Sequence, residues 1–326
     1  KYNRALKTVC SVGNLLKLHI TAISVSLMFI NCFSEYLAVF SHLIAFHEPE
    51  LTNHLDSIGF IPELYAIPWF LTMYTHVFPL HKVFHLWDTL LLGNSSFPLF
   101  IGVSILQQLQ ANLLSFGFNE CILLFSDMPE IDIQRCVQDS IKLFCSTPKS
   151  TTYRQHERQR TKPDNVFKSS SDFKTTNPDL EMSPLPLNVL KSEISPRISG
   201  EDLLDLLELS PHGERKSQPR YNKVKILVVD VRPSEDFTRG AIPDSINIPF
   251  QTAFSPDGTL VSSPDTATLM GHKGRMVVIV GSSKNNNASN FATQLVRLGF
   301  PKVCTLHKGI DVFRTIGILI VRAGER

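Results

Sequence analysis

The residues best placed for chemistry follow the apolar run at residues 276–280 (MVVIV). They read Gly281-Ser282-Ser283-Lys284-Asn285-Asn286-Asn287, and a helical stretch begins at Ala288. Backbone N–H groups at a helix start lack intrahelical acceptors and carry partial positive charge, so this loop is a candidate anion cradle. The plainer alternative is a polar strand-to-helix turn. A thiol here would be activated by the helix terminus, but the loop has neither Cys nor Arg. Ser282 and Ser283 would act as nucleophiles only beside a positioned base. The loop contains no His, and no GxSxG elbow surrounds the serines.

Other reactive residue types point to packing instead. Cys304 lies inside an apolar run at residues 303–306, where a cysteine acts as a small hydrophobe. His81, His85 and Asp88 fall at i, i+4 and i+7 on one helical face, yet a metal would need a further ligand from elsewhere. No metal site is expected. The chain has no GxxxxGK[ST], no GxGxxG and no kinase catalytic loop, and no cofactor is expected. Cys10, Cys32, Cys121, Cys136, Cys145 and Cys304 form no CxxC, which argues against a disulfide scaffold and for a reducing compartment.

The elements that must position these residues divide the chain in three. Its 326 residues allow about two domains at roughly 150 residues each. A composition of 43% hydrophobic and 19% charged residues fits a sizeable core, and a net charge of +2 speaks against a nucleic-acid binder. Residues 18–34 carry no Asp, Glu, Lys or Arg. They are short for a membrane span of about 20 residues, and a buried helix is expected. They also lack the Met start and cleavage site of a signal peptide. The chain starts at Lys1, so a fragment is expected.

From residue 37 to about 145 the sequence is helical. Val83, Trp87, Leu90 and Leu91 mark one stripe between Pro79 and Gly93-Asn94. Val103, Leu106, Leu109 and Leu113 mark a second stripe, and Ile133, Val137, Ile141 and Phe144 a third. Residues 149–197 are rich in Ser, Thr, Pro and mixed charge, and the expectation is a disordered linker. Beyond it, residues 225–231 (KILVVDV), 276–280 and 303–306 read as buried parallel strands. Phe291, Leu295 and Leu298 share a helical face, with Gly299 as its stop. Ser199 and Asp202 look like a capping box. Strand, helix, strand makes an α/β domain with a parallel sheet and ligand sites at the strands' carboxyl ends. Residues 198–326 hold a full set of elements and are expected to fold alone.

Two resemblances add to this reading. Residues 60–92 carry Trp69-Phe70 in a WFLT segment, Pro79-Leu80, and Trp87-Asp88. These resemble signatures of the C-terminal half of the TBC domain of Rab GTPase-activating proteins. The resemblance runs over about 34–148, which makes this a partial TBC domain, with 1–33 unassigned. It implies two fingers, an Arg in IxxDxxR and a Gln in YxQ, in the N-terminal half of the domain, outside this chain. Tyr153-Arg154-Gln155 spells YxQ but follows the domain. Asp132 and Arg135 make DxxR, but Pro129 stands where Ile belongs. No finger is assigned.

Residues 198–316 resemble a rhodanese-like domain. Asp230 and Arg232 match its DxR, Gly240 through Asn247 and Pro249 its GxI…NIP stretch, and Leu298-Gly299-Phe300 and Lys308-Gly309 its late elements. Active members carry a cysteine in the loop after the VVIV-like strand, and Gly281 fills that slot here. The resemblances imply a Rab-regulator protein of endosomal and vesicle traffic. It would be cytoplasmic, peripheral on membranes at most, and would act by binding a Rab-family small GTPase and other trafficking proteins. The alternatives are an active GTPase activator or, further off, a sulfurtransferase.

Overall fold

The structure is a computed structural model that describes residues 26–91, 93–154, 180–209, 226–314 and 316–321. Helices come first: α1 Ser26–His47, α2 Pro49–Ser57, α3 Ala66–Leu71, α4 Leu80–Leu90, α5 Phe97–Ser115, α6 Phe118–Ser126 and α7 Ile133–Ser146. Helix α5 sits at the centre. Its expected stripe Val103, Leu106, Leu109 and Leu113 is fully buried, and Phe97 through Ile101 are buried beside it. By length and composition α5 passes the test for a membrane-crossing helix, yet 67% of it is buried inside the protein, as a core helix would be. Of residues 18–34, those from Ser26 onward begin α1; the earlier ones lie outside the described residues.

Two stripes are phased differently from the sequence expectation. On α7 the buried line is Ile133, Cys136 and Ser140, while Ile141 is exposed. Small residues let α7 approach α5 closely enough for Ser104 Oγ to donate to Cys136 O at 3.1 Å. On α4 the buried pair is Val83 and Leu86, and Trp87 is only half-buried because its ring N–H turns to a backbone carbonyl.

The linker expectation fails at both ends. Lys149–Thr152 forms a 3-10 helix, and α8 spans Leu187–Ser192. Polar bonds hold these ends, and hydrophobic patterning is blind to them. Ser150 N and Oγ each donate to Asp202 Oδ2 at 2.7 Å, and Ser199 N donates to Ser150 Oγ at 2.9 Å. His42 Nε2 donates to Leu190 O and Glu193 O, both at 2.9 Å. Residues 155–179 lie outside the described set.

The α/β part runs β1 Arg197–Ile198, α9 Gly200–Leu207, β2 Leu227–Asp230, α10 Ser234–Arg239, β3 Ile246–Asn247, α11 Phe250–Ala253, α12 Pro264–Gly271, β4 Val277–Val280, α13 Asn287–Arg297 and β5 Val303–Leu306. Its sheet is wholly parallel, in the order β1-β5-β4-β2-β3. The three expected strands are its middle, and two-residue edge strands complete it. Ser199 caps α9, accepting from Asp202 N at 3.1 Å, but Asp202 answers to Ser150 rather than closing the expected box. A complete capping box starts α12 instead, between Ser263 and Thr266.

The two faces of the sheet bury separate clusters, as the two-residue period of a strand requires. Val229, Ile279 and Val303 pack with Phe291, Leu295 and Phe300, whereas Val228, Val278 and Cys304 pack with Leu203, Leu204 and Phe313. The helical part enters both clusters. Ala45, near the end of α1, belongs to the first and Phe46 to the second, each fully buried. Lys302 N donates to Phe46 O at 2.6 Å, and Asn53 Nδ2 donates to the α13 carbonyls of Val296 at 2.9 Å and Arg297 at 3.2 Å. A core shared across the 198 boundary runs against independent folding of residues 198–326.

Three histidines line this junction, His42 and His307 buried and His47 half-buried. Burial lowers the His42 pKa, with Arg197 adding to it, while the carbonyls it bonds and Glu193 oppose. Burial, then Lys302, pushes His47 down to about 3. The Thr147 hydroxyl donates to Leu143 O, so His47 Nε2 donates to Thr147 Oγ1. Burial, then Arg197 and Lys308, pushes His307 down to about 4, against Glu193. An unfolded histidine titrates near 6.5, so below that pH the unfolded chain binds protons that the folded chain refuses. Stability is therefore complete above about pH 6.5 and is lost as the pH falls toward the folded values. Urea midpoints should fall between pH 7 and 5, with about one proton less taken up on unfolding in His47→Gln. Equal midpoints at the two pH values would contradict this.

Candidate functional site

The loop at the carboxyl end of β4 is shaped by close backbone approach. A Cβ on Gly281 would lie 2.9 Å from Ala288 Cβ, nearer than real Cβ contacts come. Gly309, at φ +64°, brings its own turn against the loop, and a Cβ there would lie 2.4 Å from Gly281 O. This lets Ile310 N donate to Gly281 O at 2.9 Å. The turn carries Asp311 onto the loop. Ser283 donates to Asp311 Oδ2 from its hydroxyl and, at 3.3 Å, from its backbone N–H. Arg314 Nε lies 2.9 Å from Asp311 Oδ1.

Burial alone would raise the Asp311 carboxyl. The Ser283 hydroxyl and amide, with Arg314 and Lys284, outweigh it and hold the group below the usual carboxylate range. Asn285 Oδ1 accepts from Asn287 N at 3.3 Å, and Ser282 Oγ from Lys284 N at 3.3 Å. Asn286 is the N-cap residue of α13 without a side-chain cap bond. Several donors expected to cradle an external anion are thus engaged by groups of this chain. The loop fits the plainer reading of a structured turn with its own carboxylate seated on it. Sequence reasoning missed Asp311, and only the adjacent Lys308-Gly309 pair hinted at this turn.

The DxR and NIP residues come together in one buried knot. Arg232 Nε lies 3.0 and 3.1 Å from the two Asp230 carboxylate oxygens, and Nη2 donates to Asp230 Oδ2 at 2.7 Å and to Gly240 O at 2.7 Å. Asn247 Nδ2 donates to Asp230 O and Arg232 O, both at 2.9 Å. Pro249 starts α11, where Phe250 N donates to Val231 O at 3.1 Å. These residues fasten the exit of β2 to β3 and to the Gly240 turn. A paired, hydrogen-bonded buried charge of this kind is structural.

The helical signature residues also act by packing. Trp69 and Phe70 are buried, and Trp69 meets Tyr65, Tyr74 and Phe125 with ring centroids 5.3–6.2 Å apart. After α3 the chain takes two left-handed residues in succession, Met73 at φ 47° and Tyr74 at φ 69°. Each costs about 1–2 kcal/mol for a residue with a Cβ. Trp87 Nε1 donates to Met73 O at 2.9 Å, and Tyr74 Oη to Pro98 O at 2.7 Å, which together hold the turn. Pro79 starts α4, Leu80 is exposed, and Asp88 is exposed on the same helix.

The described residues of the two finger-like strings are engaged within the chain. Arg154 is buried, donates to Ser95 Oγ at 2.8 Å and stacks 4.6 Å over Tyr36; Gln155 lies outside the described residues. Asp132 caps α7, accepting from Arg135 N at 3.0 Å, and Arg135 pairs with Asp139 at 3.4 Å. Among the described residues, no group of three or more His, Cys, Asp or Glu side chains could hold a metal. Burial drives the Cys304 thiol far above its ordinary range, as suits a core residue.

Comparison with known proteins finds one family match in the helical part and one in the α/β part. The Rab-GTPase-TBC domain family matches residues 14–114, starting upstream of the Ser34 limit read from the sequence. The rhodanese-like domain family matches residues 216–315. The chain is 58% identical over 299 residues to the TBC domain-containing protein kinase-like protein of Mus musculus, covering 88% of this chain and 33% of that protein. Its namesake in Dictyostelium discoideum is 30% identical over 282 residues, or 85% of this chain and 23% of the relative. The Rab GTPase-activating protein tbc-11 of Caenorhabditis elegans is 26% identical over 199 residues, 61% and 19% respectively. The chain spans about a third of the length of the mouse relative. It combines a Rab-GTPase-TBC region with a rhodanese-like domain, and over 88% of its length it resembles the TBC domain-containing protein kinase-like protein.

Proposed function

We propose that this chain is part of a Rab-type GTPase regulator that acts through binding, with its rhodanese-like domain as a protein-binding module. The observation that carries the reading is the loop at Gly281. The sulfur-carrying position has no side chain, Ala288 crowds the space a Cβ would enter, and Asp311 occupies the adjoining donors. Sulfur transfer needs a thiolate to hold the persulfide, and the nearby serine hydroxyls have no imidazole base within the loop. The DxxR string supports the same reading for the helical part, since Asp132 caps α7 and Arg135 pairs with Asp139. The Rab partner class rests on the TBC region and on relatives named as Rab regulators. A cytoplasmic setting, peripheral at endosomal or vesicle membranes, follows from that partner class.

The test is a titration of immobilised full chain with Rab GTPases loaded with a non-hydrolysable GTP analogue or with GDP. Saturable binding of at least one GTP-form Rab is expected, and absence of binding across the Rab panel would overturn the partner class. Thiosulfate-to-cyanide transfer by the same chain is expected to be nil. The control is Gly281→Cys combined with Ala288→Gly, which opens room for the new side chain. Turnover by the unmodified chain would overturn the non-catalytic reading of this domain.

A further inference from the structure

We propose that Ser183 is a phosphoacceptor of the Ser-Pro type, and that its phosphate is held by His307, Arg197 and Lys308 at the carboxyl end of the sheet. Residues 180–186 form a strap laid on the α/β part. Leu180 O accepts from Glu201 N at 3.3 Å, and Leu180 packs against Gly200. In the middle of the strap, Ser183 Oγ lies 2.7 Å from His307 Nε2, and Ser183 N donates to the same nitrogen at 3.3 Å. On the far side of the ring, Arg197 Nη1 lies 3.5 Å from His307 Nδ1. Lys308, the next residue, is half-buried at the left-handed turn after β5, and its charge adds to the lowering of the His307 pKa.

The charges facing His307 are those of Arg197, Lys308 and Glu193. Glu193 takes Arg197 Nε at 2.8 Å and Nη2 at 2.5 Å, so Nη1 is the edge of the guanidinium turned toward the ring. With Ser183 unmodified, this cluster holds two cations against one carboxylate beside a neutral imidazole. A phosphate adds nearly two negative charges and three acceptor oxygens. It supplies acceptors for the Arg197 edge that Glu193 leaves free and for Lys308, and gives His307 a reason to bind a proton.

Ser183 is followed by Pro184, with Pro186 two residues on, in a segment without helix or strand whose two prolines are exposed. Proline fixes an extended backbone and removes an N–H, the form read by kinases that require proline after the acceptor. The other described Ser-Pro serines are buried or engaged. Ser195 is buried, Ser255 sits on the Asp257 carboxylate, and Ser263 is committed to the α12 cap. In the transfer, Ser183 Oγ forms a bond to the γ-phosphorus of ATP. The bond from that phosphorus to the β–γ bridging oxygen breaks, ADP leaves, and the hydroxyl proton passes to the kinase base.

The test uses the full chain, a proline-directed serine/threonine kinase and ATP, with mass-spectrometric site assignment and a short peptide around Ser183 as reference. Ser183 should be labelled in the folded chain, and labelling of the peptide alone would overturn the proposal. Phosphorus NMR should then place the second phosphate ionisation at least about one pH unit below the value near 6 of free phosphoserine. The His307 midpoint should rise by more than one unit. Lys308→Gln should move the phosphate midpoint back toward the free value, and Lys308→Arg should restore it. A phosphate that titrates like free phosphoserine in the folded chain would overturn the receiver. So would a midpoint indifferent to Lys308→Gln.

Discussion

Replacing Phe46 with alanine should lower the unfolding free energy by about 3–5 kcal/mol, the range for removing a buried phenylalanine, and should do so for both parts together. Phe46 leaves α1 and enters the sheet face formed by Val228, Val278 and Cys304. Its neighbour Ala45 enters the opposite face. The slot it fills is closed on the backbone side by the Lys302 N–H bonded to Phe46 O, so the cavity has little freedom to collapse. Both tryptophans of the chain, Trp69 and Trp87, lie in the helical part. Their fluorescence therefore reports that part, while the far-ultraviolet circular dichroism reports the whole chain. Coincident transitions are expected in the parent chain and, at lower denaturant, in Phe46→Ala. Two separate transitions, with one unmoved by the substitution, would show that the parts fold independently. Residues 198–326 alone should be markedly less stable than in the full chain, because that cut leaves the slot empty.

What was legible in the sequence follows what carries an apolar signal. Strands β2, β4 and β5 announce themselves as β-branched runs, and α13 by its stripe ending at Gly299. The short edges β1 and β3 do not, since two residues carry no period. On α7 the stripe is misread because close packing selects Cys136 and Ser140, which score as weak hydrophobes or none. The 149–154 and 180–197 stretches look like solvated linker because Ser150, Asp202, His42 and Glu193 hold them through polar bonds between distant positions. The Gly281 slot is visible directly. That Asp311 occupies the loop is not, because it depends on the left-handed turn at Lys308-Gly309 folding back across 28 residues. Ala45 and Phe46 look like ordinary helix residues, and only the tertiary arrangement shows that they belong to a different layer.

The largest expected effect concerns GTP hydrolysis. A finger that supplies transition-state charge accelerates a small GTPase by about 10³–10⁵, through electrostatic stabilisation that water cannot mimic. In this chain the string nearest to an arginine-finger motif is Asp132 to Arg135, where Asp132 caps α7 and Arg135 pairs with Asp139 on the helix surface, while Arg154, the middle residue of the YxQ string, is buried against Ser95 and Tyr36. Withdrawing Arg154 would leave Tyr36 and Ser95 without the contacts it makes to them. On the proposed reading, binding of a Rab surface comes without the charge that lowers the barrier. The most direct measurement is single-turnover GTP hydrolysis by a Rab GTPase that binds this chain, with the chain in saturating excess. A rate within a few-fold of the intrinsic one, unchanged in Arg135→Ala, is expected. A dose-dependent acceleration of about 10²-fold or more, abolished by substituting a single Arg or Gln of this chain, would contradict it.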